Sequence, residues 1–130
     1  MQIAIIGLGK MGGNMVKRLL GGGHTVVAYD RDAAIVESLV KEGAKGASSL
    51  ADIVRQLAAP RAVWVMVPAG APTESTIDEL STLLSPNDII IDGGNTNFHD
   101  DVRRSAKLAE KKIRFLDAGT SGGVWGLQVG

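Results

Sequence analysis

The 130-residue chain contains no cysteine, which excludes disulfides, thiolate catalysis and cysteine-ligated metals. Aromatic residues make up only 4% of it, so any core must be built from Ile, Val, Leu and Ala. Its 14 basic and 14 acidic residues cancel to zero formal charge. No field of one sign therefore argues for nucleic acid or an anionic membrane surface as partner. No apolar run reaches the roughly 18 residues of a membrane span. An apolar, strand-like run begins at residue 3, and this is expected to leave no room for a signal peptide. A soluble, cytoplasmic protein is the expectation. With 45% apolar residues, a chain of this length suits one domain with a substantial core.

Glycine is abundant, at 17 residues, and its first cluster is placed for a purpose. Ile3-Ala4-Ile5-Ile6 reads as a buried strand and leads directly into Gly7-Leu8-Gly9-Lys10-Met11-Gly12. A helical pattern follows to Leu20, then a second apolar run from Thr25 to Tyr29 that ends in Asp30. Strand, Gly-x-Gly-x-x-Gly turn, helix, strand and acid make the pattern of a dinucleotide-binding βαβ unit. The spacing alone is weak in a glycine-rich chain; its context at the first strand–helix junction, with the acid closing the second strand, makes it specific. Gly7 allows the tight turn, Gly9 lets the backbone come close to a pyrophosphate, and Gly12 lets the helix pack against the strand. The first-turn N–H groups then face the phosphate charge. Asp30 is placed to accept hydrogen bonds from the adenosine ribose. Arg31 has two readings, a solvated charge or a guanidinium stacked on adenine.

The rest of the chain repeats the alternation. Met11, Met15 and Leu19, with Val16 and Leu20 beside them, form the first helix's apolar face, and Gly21-Gly22-Gly23 stops that helix. His24 reads as a turn residue. A second helix is predicted over about 32–42 with Ile35, Leu39 and Val40 inward, then an edge strand at Lys45–Ala47. Ser49-Leu50-Ala51-Asp52 resembles a capping box opening a short helix to about Leu57. Ala62–Val67 is the fourth strand, ending in the turn Pro68-Ala69-Gly70. Pro72 falls in the first turn of the next helix, whose face is Ile77, Leu80, Leu83 and Leu84. Asp88–Asp92 is the fifth strand, closed by Gly93-Gly94-Asn95-Thr96-Asn97. A helix over about 98–112, with Val102, Ala106 and Ala109 inward, leads to a sixth strand at Ile113–Leu116 and then to Asp117–Gly123.

Six strands alternating with helices predict an α/β fold: a Rossmann-like, doubly wound, mainly parallel sheet in the order 3-2-1-4-5-6 with helices on both faces. The loops at Gly7–Gly12, Asp30–Asp32, Val67–Gly70, Gly93–Asn95 and Gly119–Gly123 should then converge on one crevice. The first two would take the adenosine and pyrophosphate half, the later three the nicotinamide and its reaction partner.

At these loops the chain resembles the 6-phosphogluconate dehydrogenases and their β-hydroxyacid dehydrogenase relatives. The matching segments are 6–15, Ile90-Ile91-Asp92-Gly93-Gly94-Asn95-Thr96, and Gly119-Thr120-Ser121-Gly122-Gly123. The resemblance covers essentially the whole chain. Its middle segment is the most specific, since the 3-hydroxyisobutyrate and tartronate semialdehyde enzymes share the outer two more than this one. The resemblance implies that Gly7, Leu8, Gly9, Lys10, Met11, Gly12, Asp30, Arg31, Asp32, Val67, Pro68 and Ala69 contact the dinucleotide. It implies that Asn95 lies between cofactor and sugar acid, and that Ser121, Gly122 and Gly123 hold substrate. A serine hydroxyl and close backbone N–H groups suit a carboxylate, although these glycines and Asn95 also read as ordinary turn residues.

Two departures from the family pattern bear on the cofactor. Where the NADP enzymes carry Asn-Arg-Thr after the second strand, this chain has Asp30-Arg31-Asp32. A carboxylate about 4 Å from a 2′-phosphate costs up to ~4 kcal/mol at an effective dielectric of about 20, less where solvent screens it. NAD is therefore expected over NADP. Val124-Trp125 replaces the acidic residues of the longer NADP enzymes, which together with Asp30 resembles the shorter NAD-dependent subclass. Trp125 reads either as a cover for the substrate loop or as packing against a further domain.

The implied reaction is oxidative decarboxylation of 6-phosphogluconate to ribulose 5-phosphate with hydride transfer to NAD. In the family the base is a lysine and the acid a glutamate, both further along than Gly130. No lysine here matches the catalytic motif, so no catalytic residue and no metal ligand is assigned within 1–130. Residues 1–130 read as one cofactor domain without the family's helical domain, through which the full-length protein would form a homo-oligomer. Two alternatives stay open: the cofactor domain of a sister hydroxyacid dehydrogenase, and a non-catalytic nucleotide-sensing module.

Overall fold

The apolar runs form a parallel sheet of six strands, and the segments between them form the helices that cover it. In this computed structural model the described residues are 2–66, 71–93 and 106–117. The elements run β1 (Gln2–Ile6), α1 (Lys10–Gly21), β2 (Thr25–Tyr29), α2 (Ala33–Val40), β3 (Lys45–Gly46), α3 (Leu50–Gln56), β4 (Ala62–Val65), α4 (Ala71–Leu83), β5 (Ile89–Asp92) and β6 (Arg114–Asp117). Strand order is β3-β2-β1-β4-β5-β6 with every pair parallel, the predicted doubly wound topology.

Successive strand residues point to opposite faces, and here both faces must be apolar because helices lie on both. Ile3 and Ile5 of β1 pack with Val16, Val26, Ala28, Val36 and Leu39 on the side of α1 and α2. Ala4 and Ile6 pack on the other side with Val63, Val65, Ile77, Leu80 and Ile90. Each fully buried Val, Leu or Ile among these stabilises the fold by about 1.5–3 kcal/mol. Gly23, at φ +84°, takes the left-handed conformation that ends α1. His24 sits in that turn, its N–H donating to the Leu19 carbonyl.

Two inward faces differ from expectation. On α2, Val36 and Leu39 are buried, while Val40 is 44% exposed. Val40 lies at the helix's last residue and packs over Gly46 of the edge strand β3. Near the end of the chain, helical residues 106–109 bury Leu108 beneath the sheet and leave Ala106 and Ala109 exposed. The larger apolar side chain claims the core because it removes more area from water. Val102 lies outside the described residues.

Two polar clusters tie the ends of elements. Asp88, fully buried just before β5, accepts from the backbone N–H groups of Arg61 (2.6 Å) and Ser85 (2.8 Å) and from the Arg61 guanidinium (3.1 Å). This joins the starts of β4 and β5. The Ser49 hydroxyl accepts from the Asp52 N–H at 3.1 Å, as a capping residue should, but the Asp52 carboxylate reaches back to the Ser48 N–H at 2.9 Å rather than to Ser49.

That Ser48 hydrogen bond, followed by the Arg55 guanidinium, holds the Asp52 carboxyl below its ordinary value of 3.8. The depressed value means a stabilising contribution that is present above the ordinary carboxylate range and is lost as pH falls through the folded value. The Asp52→Asn variant is accordingly expected to melt at a lower temperature than the parent at neutral pH. The gap should close in strong acid, as thermal melts of both proteins across that range would read. A gap that persists in strong acid would assign the effect to packing rather than charge.

Among the described residues no helix is long and apolar enough to cross a membrane.

Candidate functional site

Registers place the strand ends in one row. Tyr29, Ile6, Val65, Asp92 and Asp117 are successive partners across β2, β1, β4, β5 and β6. The residues that immediately follow this row on the first four of these strands are Asp30, Gly7, Met66 and Gly93, and they stand side by side along the sheet's carboxyl edge. Strand order reverses between β1 and β4, and open α/β sheets bind ligands in the crevice at that reversal. At about 4.8 Å per strand gap, the row from Asp30 to Gly93 is of the order of 14 Å long.

Gly7 leaves β1 at φ +93°, a conformation that side-chain-bearing residues rarely adopt. Its N–H donates to the Tyr29 carbonyl at 2.9 Å, which ties the turn to β2. The Leu8 N–H then donates to Asp30 Oδ2 at 2.7 Å, and the Asp32 N–H donates to Asp30 Oδ1 at 2.9 Å. The glycine turn is thus buckled to the end of the second strand by a carboxylate. Each Asp30 oxygen carries a second lone pair, so the same carboxylate can still accept from a ribose diol. The dinucleotide pattern alone suggests only the ribose contact. The Leu8–Asp30 spacing of 22 residues had no local signal, and the two meet only because β1 and β2 are adjacent.

Gly9 is the N-cap of α1, in an extended conformation with no side-chain cap, and a β-carbon there would meet none of the described residues within 4 Å. The fold does not require glycine at this position; an approaching anion would. A β-carbon on Gly12 would instead collide with the Gly7 carbonyl. The first turn of α1, with its N–H groups, is held against the glycine turn by that lack of a side chain. An uncapped helix N-terminus, open space before it and a carboxylate beside it fit a pyrophosphate flanked by an adenosine.

Asp32 caps α2, its carboxylate accepting from the Ala34 N–H at 3.0 Å, and both Arg31 and Asp32 are exposed at the rim. On the opposite side of the reversal, Met66 donates its N–H to the Ile6 carbonyl at 2.7 Å, and Gly93 donates its N–H to Val65 at 2.9 Å. The Trp64 indole N–H donates to the Met66 thioether. Motif reasoning passed over Trp64 and Met66 because they read as core of a buried strand.

The structure therefore brings together Gly7, Leu8, Gly9, Gly12 and Asp30, with Arg31 and Asp32 at the edge. The backbone of Lys10 and Met11 forms the start of α1, but their side chains lie outside the described residues. So do Val67, Pro68, Ala69, Asn95, Ser121, Gly122, Gly123 and Trp125. Among the described residues no cluster of three or more His, Asp or Glu side chains could hold a metal ion.

Residues 2–130 match the family model of the NAD-binding domain of 6-phosphogluconate dehydrogenase. The chain is 42% identical over 130 residues to an NAD(+)-dependent, decarboxylating 6-phosphogluconate dehydrogenase of Haloferax volcanii, covering all of this chain and 42% of that protein. It is 43% identical over 134 residues to the decarboxylating 6-phosphogluconate dehydrogenase of Candida albicans, covering 99% of this chain and 26% of that one. The chain thus spans less than half the length of these curated relatives. Among solved structures it resembles the Plasmodium falciparum 6-phosphogluconate dehydrogenase, studied with NADP+ and with 6-phosphogluconate (TM-score 0.88, 29% identity, 98% of this chain and 29% of that one). It also resembles the Mycobacterium tuberculosis 3-hydroxyisobutyrate dehydrogenase (TM-score 0.85, 28% identity, 96% of this chain and 42% of that one).

Proposed function

Because the chain belongs to the family of 6-phosphogluconate dehydrogenase NAD-binding domains, we propose that its crevice holds NAD in preference to NADP and serves the oxidative decarboxylation of 6-phosphogluconate in the full-length enzyme. The observation that carries the cofactor reading is the Asp30 carboxylate, pinned between the Leu8 and Asp32 N–H groups beside an open helix N-terminus. Gly7, Leu8, Gly9 and Gly12 shape the pyrophosphate cradle, with Lys10 and Met11 continuing it along α1. Asp30 takes the ribose, and Arg31 and Asp32 border the adenine. Val67, Pro68, Ala69 and Asn95 would contact the nicotinamide half, and Asn95, Ser121, Gly122 and Gly123 the sugar acid, as the family resemblance implies.

When bound, NAD supplies the hydride acceptor for oxidation at C3 of 6-phosphogluconate. The chain's own contribution is to hold and orient: helix N–H groups offset phosphate charge, and Asp30 sets the ribose and so the register of the whole cofactor along the strand ends. The substrate reading leans on the relatives at 42–43% identity, which are named for 6-phosphogluconate. The hydroxyisobutyrate enzyme shares the fold at 28%.

Calorimetric titration with NAD and with ADP-ribose tests the cofactor reading, and saturable binding of both is expected. The 130-residue chain mixed with NAD and 6-phosphogluconate is expected to form no NADH, because the family's lysine base and glutamate acid match nothing within it. NADH formation by this chain alone would show that the base lies among residues 1–130.

A further inference from the structure

We infer that Met66 is a contact residue for the nicotinamide end of the dinucleotide, with Trp64 as the positioning residue that holds its thioether in place. The inference rests on the crevice being a dinucleotide site. If the adenosine lies at Asp30 and the pyrophosphate at Gly9, the other half must continue along the row of strand ends over β4, where Met66 is the next residue.

The surroundings of Met66 are built to keep it still. Methionine ordinarily adapts through three rotatable bonds. Here its backbone N–H is bonded to the β1 carbonyl of Ile6 at 2.7 Å, and the Trp64 indole N–H donates to its sulfur. Its β-carbon lies 3.6 Å from where a Gly12 β-carbon would stand, at the base of the glycine turn. On the other side, a β-carbon on Gly93 would collide with both the Trp64 indole nitrogen and the Met66 sulfur, and would stand 3.0 Å from Trp64 Cδ1. Gly93 thus carries no side chain because the indole and thioether occupy that space. Trp64 and Met66 are both half-buried. The face of the sheet they occupy is that of α1 and α2, the side on which the glycine turn opens. A polarizable sulfur fixed beside the Trp64 indole at the sheet's carboxyl edge suits a flat, electron-poor ring.

The test separates the two halves of the ligand. NAD and ADP-ribose are titrated against the parent chain and the Met66→Ala, Met66→Leu and Trp64→Phe variants, with circular dichroism to confirm folding. The sulfur–ring contact is of a size to change affinity about two- to tenfold. All three variants are expected to weaken NAD by that much and leave ADP-ribose unchanged, Met66→Leu included, because leucine keeps the volume but lacks the sulfur. Equal weakening of both ligands, or of neither, in the folded variants would overturn the role of Met66. Failure of the parent chain to bind ADP-ribose would instead overturn the dinucleotide site itself, and this inference with it.

Discussion

Replacing Gly12 with alanine is expected to abolish dinucleotide binding and to destabilise the fold, whereas replacing Gly9 with alanine is expected to abolish binding alone. The two glycines belong to one motif, yet the structure gives them different tasks. A β-carbon on Gly12 would overlap the Gly7 carbonyl oxygen and sit 3.0 Å from its carbon. Both are backbone atoms of a turn already committed to φ +93° and to a hydrogen bond with Tyr29, so neither can yield cheaply. The start of α1 must lift away from the turn, and overpacking of this kind costs about 1–3 kcal/mol or more. The helix N–H groups move with it. Hydrogen bonds to a charged partner contribute about 1.5–3 kcal/mol each, so losing two weakens binding by about a hundredfold or more.

Gly9 stands clear of the other described residues, in an extended conformation that alanine also adopts. Its replacement should leave the melting temperature close to the parent's, since alanine restricts the unfolded chain by roughly 0.4–1 kcal/mol but is a poorer N-cap than glycine, which offsets that gain. The added methyl group then occupies the approach of the phosphate. Thermal melts and ADP-ribose titrations of both variants provide the comparison. A Gly9→Ala variant with parental affinity would show that no phosphate comes close to that backbone, and a Gly12→Ala variant of parental stability would show that α1 can be displaced freely.

The second large effect is cofactor choice, where NAD is expected to bind more than tenfold tighter than NADP. The charge argument sets a ceiling of ~4 kcal/mol for a carboxylate about 4 Å from a 2′-phosphate, and about 1.4 kcal/mol is already tenfold. The structure strengthens it. Asp30 cannot swing aside to admit a phosphate, because Oδ2 accepts from Leu8 at 2.7 Å and Oδ1 from Asp32 at 2.9 Å. Rotating it away forfeits both bonds, each worth about 1.5–3 kcal/mol to a charged acceptor, and loosens the glycine turn as well. Asp30→Asn should narrow or erase the preference by removing the charge. It should also weaken NAD somewhat, since an amide nitrogen turned toward either N–H cannot accept. Equal or tighter binding of NADP by the parent chain would show that Arg31, exposed beside Asp30, dominates the pocket. The relatives named NAD(+)-dependent and studied with NADP+ show that the choice varies among similar proteins.

Much of this was legible in the residues because it depends on near neighbours. The strand order followed from the β–α alternation, and Gly7 and Gly12 from turn and packing geometry within a dozen residues. Ser49 could be read as a cap from the three residues after it. The errors came where a helix face had to be chosen among several apolar stripes. The α2 face includes Val36 rather than Val40, and the helical residues before β6 bury Leu108 rather than the alanines. Periodicity counts apolar residues but does not know which side the sheet lies on.

The sequence by itself determined the alternation of strands and helices, the glycine turn and the acid that follows the second strand. Each of these is settled by the chemistry of adjacent peptide units. Only the tertiary structure decided that Asp30 also fastens that turn, that Asp88 joins Arg61 and Ser85 at the opposite edge, and that Trp64, Met66 and Gly93 share one volume beside the glycine turn. The contacts among these that link different strands and their ends, Leu8 with Asp30, Arg61 with Asp88 and Trp64 with Gly93, join residues 22 to 29 apart. They exist because parallel pairing aligns the strand ends in one row, and no local pattern records which residue will stand opposite which.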